Sequence, residues 1–246
     1  MKGMLSIFRK AEVAKVADTP QDRLAAALAP PPVALAPVVA PPVVADLPPA
    51  KLVFGIDATA SRAHALAAST ALTQEVLSAL PGRLQVALAV HGGGELHTFT
   101  RFETDAAKLR ARIAAMRCRA GVTCLLDILE RTLKTEAQTI VYIGDVFEES
   151  ERQALKLAAA LARRNTRLII LHDTGLPGDP PQTGIFAEMA ALTGGCVLPF
   201  DASALPTLRE LLSAVAVLAV GGTELLAAKQ EAMPAARLLL QHLKET

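Results

Sequence analysis

The most restrictive feature of this sequence is an alternation of short apolar runs with longer stretches of helical spacing between residues 51 and 222. The runs have the length and content of buried strands, and they cover residues 52–56, 84–90, 96–102, 139–143, 168–171 and 196–198. A helix between two strands forms a crossover that leaves the strands parallel. The alternation therefore predicts an α/β fold with a doubly wound, Rossmann-like sheet of six mostly parallel strands.

One connection departs from this alternation. Gly92, Gly93 and Gly94 join the second and third predicted strands, and three residues are too few for a crossover helix. A short glycine-rich connection is typical of an antiparallel hairpin. We therefore expect the third strand to run antiparallel to its neighbour and to form an edge of the sheet.

Composition divides the chain into three parts. Residues 1–50 combine a short basic head with a tract that holds eight of the 16 prolines, which predicts a flexible linker. Residues 51–222 carry the strand and helix signals and form the predicted domain. Residues 223–246 are interpreted as a helical tail interrupted at Pro234. The tail has more apolar surface than a solvated segment needs, so we expect it to pack on the domain or on a second copy.

Composition also argues against several classes of protein. The net charge is +1, aromatic residues make up 3% of the chain and Trp is absent, so nucleic-acid binding is not expected. The apolar run 211–220 has about half of the ~20 residues that a transmembrane helix needs, so no transmembrane segment is expected. The three cysteines (Cys118, Cys124 and Cys196) are odd in number and lack metal-ligand spacing. They predict free thiols and a cytoplasmic location.

Side chains with oxygen atoms follow the predicted strands at one edge of the sheet. Asp57, Thr59 and Ser61 follow the first strand, and Asp145 follows the fourth. The third strand runs to the opposite edge and the next helix returns, so Thr123 is expected beside the two aspartates. Ligands of open α/β sheets bind beyond the carboxyl ends of the parallel strands. We therefore predict that these five residues converge on one exposed rim.

A cluster of oxygen donors without His or Cys suits a hard cation, with Mg²⁺ preferred and Mn²⁺ or Ca²⁺ as alternatives. Hydroxyl ligands leave the cation electrophilic, so that it can accept a carboxylate or phosphate from outside. On an exposed rim, the substitution Asp57→Ala is expected to cost little stability, within about 1 kcal/mol. The alternative is a purely structural role, in which Asp57 and Asp145 cap loops and helices.

The order and spacing of these five residues resemble the metal-ion-dependent adhesion site (MIDAS) of the von Willebrand factor A (vWA) family. The matching positions are Asp57-x-Thr59-x-Ser61, Thr123 after a Gly-x-Thr turn, and Asp145 at the end of the fourth strand. The similarity in element order covers roughly residues 51–220. The sequence departs from the family pattern at Thr59, where Ser is usual, and at Gly144, where a residue with a hydroxyl is common.

The resemblance implies an intracellular protein-interaction module and not an enzyme, with no catalytic residue. By resemblance, Thr59 and Ser61 bind Mg²⁺ directly and Thr123 binds it directly or through water. Asp57 and Asp145 act through water in the same site. A protein partner would supply an acidic residue to the metal.

Two other functions stay open on the sequence alone. A metal-dependent hydrolase or phosphatase would use the same rim with Glu148 or Glu149 as its base, but no nucleophile stands at a defined spacing. An RNA-associated module would use the basic run of residues 108–119, which is more often the solvated face of a helix. The histidines form no triad with a serine and are interpreted mostly as surface or strand-end residues: His64, His91, His97, His172 and His242.

Overall fold

A computed structural model of the chain describes residues 49–59, 83–173, 184–200 and 205–245. Residues 1–48, which make up nearly all of the predicted linker, lie outside these ranges. Ser61 and the helix predicted between Leu66 and Leu80 also lie outside them.

The strands form one six-stranded sheet in the order β3-β2-β1-β4-β5-β6. Their bounds are β1 (Ala50–Asp57), β2 (Leu84–Gly92), β3 (Glu95–Phe99), β4 (Thr139–Gly144), β5 (Arg167–Asp173) and β6 (Cys196–Phe200). All neighbouring strands are parallel except β2 and β3, which are antiparallel. The predicted fold class is therefore confirmed, including the antiparallel edge strand after the three glycines.

Within the described ranges, helices occupy the connections between the parallel strands and the C-terminal segment. Their bounds are α1 (Ala106–Ala114), α2 (Leu125–Thr132), α3 (Glu151–Arg163), α4 (Gly184–Leu192), α5 (Leu205–Ala228) and α6 (Pro234–Glu245). The carboxylate of Asp105 accepts the N–H groups of Ala107 and Lys108 and caps α1. Ser150 caps α3 through the N–H of Gln153. These caps supply acceptors for helix N–H groups that have no partner within the helix.

Side chains alternate between the two faces of the sheet and build a core on each. On β1, Leu52, Phe54 and Ile56 face a cluster that also contains buried residues of α1, α5 and α6. Val53 faces the opposite cluster, which contains buried residues of α2, α3 and α4 together with Tyr142. Burial of both faces explains why the parallel strands are near-continuous apolar runs in the sequence.

The C-terminal segment is part of the first of these cores. Helix α5 consists of two helical segments joined at a kink, where Gly222 has a non-helical backbone. Leu225 and Leu226 lie in the core with Leu239 of α6. The tail therefore packs on the domain, as its apolar content predicts.

Helix α5 also changes the expectation about membrane spans. The segment Arg209–Ala228 is long enough to cross a membrane and has a mean hydropathy of 1.9. The apolar run 211–220, judged from the sequence, has only about half of the ~20 residues that a transmembrane helix needs. More than half of this segment is buried inside the domain. Its apolar character is therefore accounted for by core packing.

Candidate functional site

The strand register aligns the ends of the central strands at one edge of the sheet. Asp57 at the end of β1 pairs with His91 of β2, and Gly144 at the end of β4 pairs with His172 of β5. A cleft of about 280 Å³ opens at this edge. Its lining residues are Thr59, Ala120, Gly121, Thr123, Asp145, Val146 and Glu148.

Three of the five predicted site residues therefore line a single cleft. Thr59 comes from the end of β1, Thr123 precedes α2, and Asp145 follows β4. Asp57 contacts Thr59 through a hydrogen bond from the Thr59 N–H. Ser61 is outside the described residues. The sequence reasoning thus placed Thr123 correctly beside Thr59 and Asp145, although the three are far apart in the chain.

The loop that carries Thr59 is held by backbone hydrogen bonds from two sides. The N–H of Ala58 donates to the carbonyl of His91 at 2.8 Å, and the N–H of Arg119 donates to the carbonyl of Ala58 at 3.0 Å. A Cβ atom at Gly92 would lie 2.7 Å from the Ala58 oxygen. A side chain at position 92 would therefore push the loop away, and glycine is required there for the close approach.

The other glycines of the β2–β3 turn position the segment that carries Thr123. Gly121 has φ of +146°, and a Cβ atom there would lie 2.5 Å from the Cα atom of Gly93. The N–H of Gly94 donates to the carbonyl of Val122 at 2.9 Å. Gly93 and Gly94 therefore do more than reverse the chain, because the Thr123 segment packs against them. Sequence reasoning assigned them only the turn.

Asp57 is buried and not exposed on the rim, which corrects the sequence expectation. Its side chain is 0% exposed, and Oδ1 accepts the N–H of Thr59 at 2.8 Å. Removal of the carboxylate leaves that buried N–H without its acceptor, which costs about 1–3 kcal/mol. The premise of an exposed Asp57 is therefore wrong, and we now expect Asp57→Ala to cost more than the ~1 kcal/mol first predicted. Asp57 holds the Thr59 loop through this hydrogen bond.

His91 connects the site to the core and was not recognised as part of it from the sequence. Its ring is 0% exposed, and Nδ1 accepts the N–H of Cys124 at 3.2 Å. Nε2 then carries the proton and faces the hydroxyl of Tyr142 at 3.0 Å. Burial, with a smaller contribution from His97 and against the effect of Asp127, lowers the pKa of His91 to about 4. The imidazole is therefore neutral at pH 7, and its approach to Oδ1 of Asp57 at 4.0 Å is not an ion pair.

Tyr142 explains why glycine stands at position 144. A Cβ atom at Gly144 would lie 2.5–2.7 Å from three atoms at the hydroxyl end of the Tyr142 ring. The ring stacks on His91 with centroids 5.8 Å apart and meets Phe186 edge-on. A hydroxyl-bearing residue at position 144, common in the vWA pattern, would displace this ring. The departure from the pattern thus follows from the buried Tyr142.

Two glutamates after β4 hold the segment around Thr123. The N–H of Thr123 donates to Oε2 of Glu148 at 3.2 Å, and the N–H of Glu148 donates to Oγ1 of Thr123 at 3.1 Å. Glu149 accepts the N–H groups of Leu125 and Leu126 at 2.6 and 3.0 Å. It therefore caps α2, whose own N-cap residue Cys124 makes no side-chain cap. Burial raises the pKa of Glu149 despite these hydrogen bonds.

The donor set of the cleft fits a hard cation. Thr59, Thr123 and Asp145 provide two hydroxyl oxygens and a carboxylate, and Glu148 adds a second carboxylate at the same cleft. Soft metals are poorly served here because the residues that line the cleft include neither His nor Cys, whereas oxygen donors of mixed charge are typical of Mg²⁺. Within the described ranges there is no group of three or more His, Cys, Asp or Glu that could hold a metal, so the threonine hydroxyls would be needed to complete a donor set.

Comparison with known proteins identifies the fold. No protein-family model and no curated protein matches the sequence. A von Willebrand factor type A protein from Catenulispora acidiphila has a TM-score of 0.58 at 15% identity, over 69% of this chain and 43% of that chain. Proximal thread matrix protein 1 from the mussel byssus has a TM-score of 0.55 at 15% identity, over 70% of this chain and 46% of that chain.

A smaller structure matches over nearly its whole length. The VWA domain of SpRpn10 has a TM-score of 0.53 at 14% identity, over 65% of this chain and 94% of that chain. The present chain thus spans less than half of the Catenulispora and mussel proteins but nearly all of this isolated domain. At these identities the likeness concerns the fold alone. The chain has the fold of a vWA domain.

Proposed function

We propose that this protein is a protein-interaction module that binds a divalent cation, Mg²⁺ in preference to Ca²⁺, in the cleft beside Thr59. The bound cation captures an acidic group of a protein partner. The observation that carries this proposal is that Thr59, Thr123 and Asp145 line one cleft of about 280 Å³. The vWA fold supports an interaction role in general. The resemblance of the five residues to a MIDAS, which comes from the sequence, suggests the same role.

Each residue has a distinct part in this proposal. Thr59, Thr123 and Asp145 would hold the cation, with Ser61 added by resemblance. Asp57 keeps the Thr59 loop in place through the hydrogen bond from the Thr59 N–H. When bound, the cation supplies a positive charge that attracts a carboxylate of the partner. The threonines add oxygen donors without cancelling that charge, which favours capture of an external acid.

Calorimetric titration with Mn²⁺ and Mg²⁺ tests the metal site without knowledge of the partner. Thr123→Val keeps the shape of the side chain but removes Oγ1, and we expect it to abolish binding. Thr123→Ser keeps the hydroxyl and should retain binding. Asp145→Asn should lose binding, whereas Glu188→Gln, a change at an exposed carboxylate of α4 outside the cleft, should not.

The controls separate loss of metal binding from loss of fold. Thr123→Val also removes the acceptor for the Glu148 N–H, so its unfolding must be measured in EDTA. If the intact chain binds neither cation, the proposed site is wrong. Equal metal affinity in Thr123→Val and Thr123→Ser would exclude the Thr123 hydroxyl from it.

The enzymatic alternative receives less support. Both carboxylate oxygens of Glu149 accept N–H groups at the start of α2, so this side chain is already used in capping. Glu148 is exposed and shares hydrogen bonds with Thr123. A turnover assay on generic phosphoesters distinguishes the two functions. Metal-dependent hydrolysis that disappears in Asp145→Ala would favour a hydrolase.

A further inference from the structure

A concentrated positive charge lies next to the cleft. Residues 106–122, termed here the basic segment, comprise α1 and the chain that leads toward Thr123. This segment has no acidic residue and five basic residues, all of them exposed: Lys108, Arg110, Arg112, Arg117 and Arg119. Because the chain as a whole has a net charge of +1, this local excess is compensated elsewhere. The basic segment is therefore a localised feature of the surface.

The end of the basic segment forms a second cleft, of about 230 Å³. Its lining residues are Val90, His97, Ala115, Met116, Arg117 and Arg119. Val90 is buried and Met116 is half-buried, so the cleft combines apolar side chains with two exposed arginines. Neither Arg117 nor Arg119 forms an ion pair with another of the described residues. A guanidinium beside apolar side chains suits a carboxylate with a short aliphatic stem.

The two clefts are lined by one continuous stretch of chain. Residues 115–119 border the second cleft, and Ala120, Gly121 and Thr123 border the first. Arg119 and Thr123 are four positions apart in the chain, so their Cα atoms are at most about 14 Å apart. Val122 lies between them and is 54% exposed, one of the few large apolar side chains exposed in the described part of the chain.

We propose that this surface binds an acidic segment of a protein partner through two acidic side chains. One acid enters the first cleft, and this part rests on the function proposed above. The second acid binds Arg117 and Arg119, and the aliphatic part of the segment contacts Val122. The two clefts adjoin, since Arg119 of the second forms a β-bridge with Thr59 of the first, so the two acids stand close together in the partner segment.

A protein ligand fits this surface better than RNA. The Tyr side chain is buried and the sequence has no Trp, so the surface offers little on which bases can stack. A cation in the first cleft can accept a carboxylate or a phosphate, so the preference for a protein ligand rests on this scarcity of stacking side chains.

The test uses fluorescein-labelled decaglutamate as the probe and fluorescence anisotropy as the readout, with Mg²⁺ and with EDTA. The variant Arg117→Glu/Arg119→Glu reverses both charges of the second cleft. The matched control, Arg152→Glu/Lys156→Glu, makes the same change in net charge at exposed positions of α3. We expect the first variant to bind decaglutamate about tenfold more weakly than the intact chain in both conditions. The control should lose less than about twofold, because it changes only the long-range field.

The outcomes separate this proposal from the metal site. Equal losses in the two variants would overturn the arginine cleft, even if binding still required Mg²⁺. A loss confined to Arg117→Glu/Arg119→Glu without any effect of EDTA would support the arginine cleft and contradict the metal site. An oligouridylate probe tests the other ligand class. If it binds more tightly than decaglutamate and depends on Arg117 and Arg119, the surface is an RNA site and the proposal is wrong.

Discussion

The buried His91 is expected to make the stability of this protein sensitive to mild acid. Burial is the main cause that lowers the pKa of His91 from 6.5 to about 4. The unfolded chain therefore binds a proton at this residue at a higher pH than the folded chain does. Stability is fully present above pH 6.5 and decreases as the pH falls toward 4. Each pH unit in this window costs up to about 1.4 kcal/mol, so the total loss is about 3 kcal/mol.

Urea denaturation at a series of pH values measures this effect directly. His91→Gln removes the titrating group, so its free energy of unfolding should be lower at pH 7 but should change less toward acid pH. The difference between the two proteins should shrink by about 3 kcal/mol between pH 7 and pH 4. Burial raises the pKa of Glu149, so this residue makes the fold more stable as the pH falls. The effect is present in both proteins and cancels in the difference between them.

His97→Gln is the matched control because it removes an exposed imidazole close enough to lower the pKa of His91. This variant should keep most of the acid sensitivity, since burial is the larger cause. A difference between the intact chain and His91→Gln that does not vary with pH would refute the reasoning. It would mean that His91 is charged in the folded state or that solvent reaches it.

Two further substitutions test the packing around the site and the tail, both by urea denaturation. Gly144→Ala should cost about 1–3 kcal/mol because its Cβ atom meets the Tyr142 ring. Gly184→Ala, with no atom within 4 Å of the new Cβ, should be close to neutral, and similar costs at the two glycines would contradict the Tyr142 contact. Leu239→Ala truncates a core side chain and should lower the free energy of unfolding by about 2–5 kcal/mol. The neighbouring Leu238 is 40% exposed, so Leu238→Ala should lower it by less than about 1 kcal/mol. Equal effects at 238 and 239 would show that α6 does not pack as described.

The sheet could be predicted from sequence because its signals are local. Strands buried on both faces are short apolar runs, and helical connections between them require parallel pairing. The three glycines after β2 are too few for a crossover, so β3 had to be antiparallel. The same logic placed Thr59, Thr123 and Asp145 at one edge, because the carboxyl ends of parallel strands meet there.

The kink in α5 shows what local signals leave open. Residues 223–246 were predicted to form a separate helical tail, and Gly222 is indeed non-helical with φ of +63°. The structure places Leu225 and Leu226 of this tail in the core of the domain. Burial of these side chains depends on neighbours distant in sequence, so the sequence left open whether the tail packs on the domain or on a second copy.

By itself the sequence determined the order of strands and helices, the antiparallel edge and the set of oxygen donors. Only the tertiary structure decided which of these donors are exposed and what holds them. Asp57 is buried at the end of β1, a central strand of the sheet, and the adjoining Ala58 hydrogen-bonds to both His91 and Arg119. His91 became part of the site because its ring accepts the N–H of Cys124. Burial and hydrogen bonding of this kind arise from contacts between residues dozens of positions apart, and such contacts exist only in the folded chain.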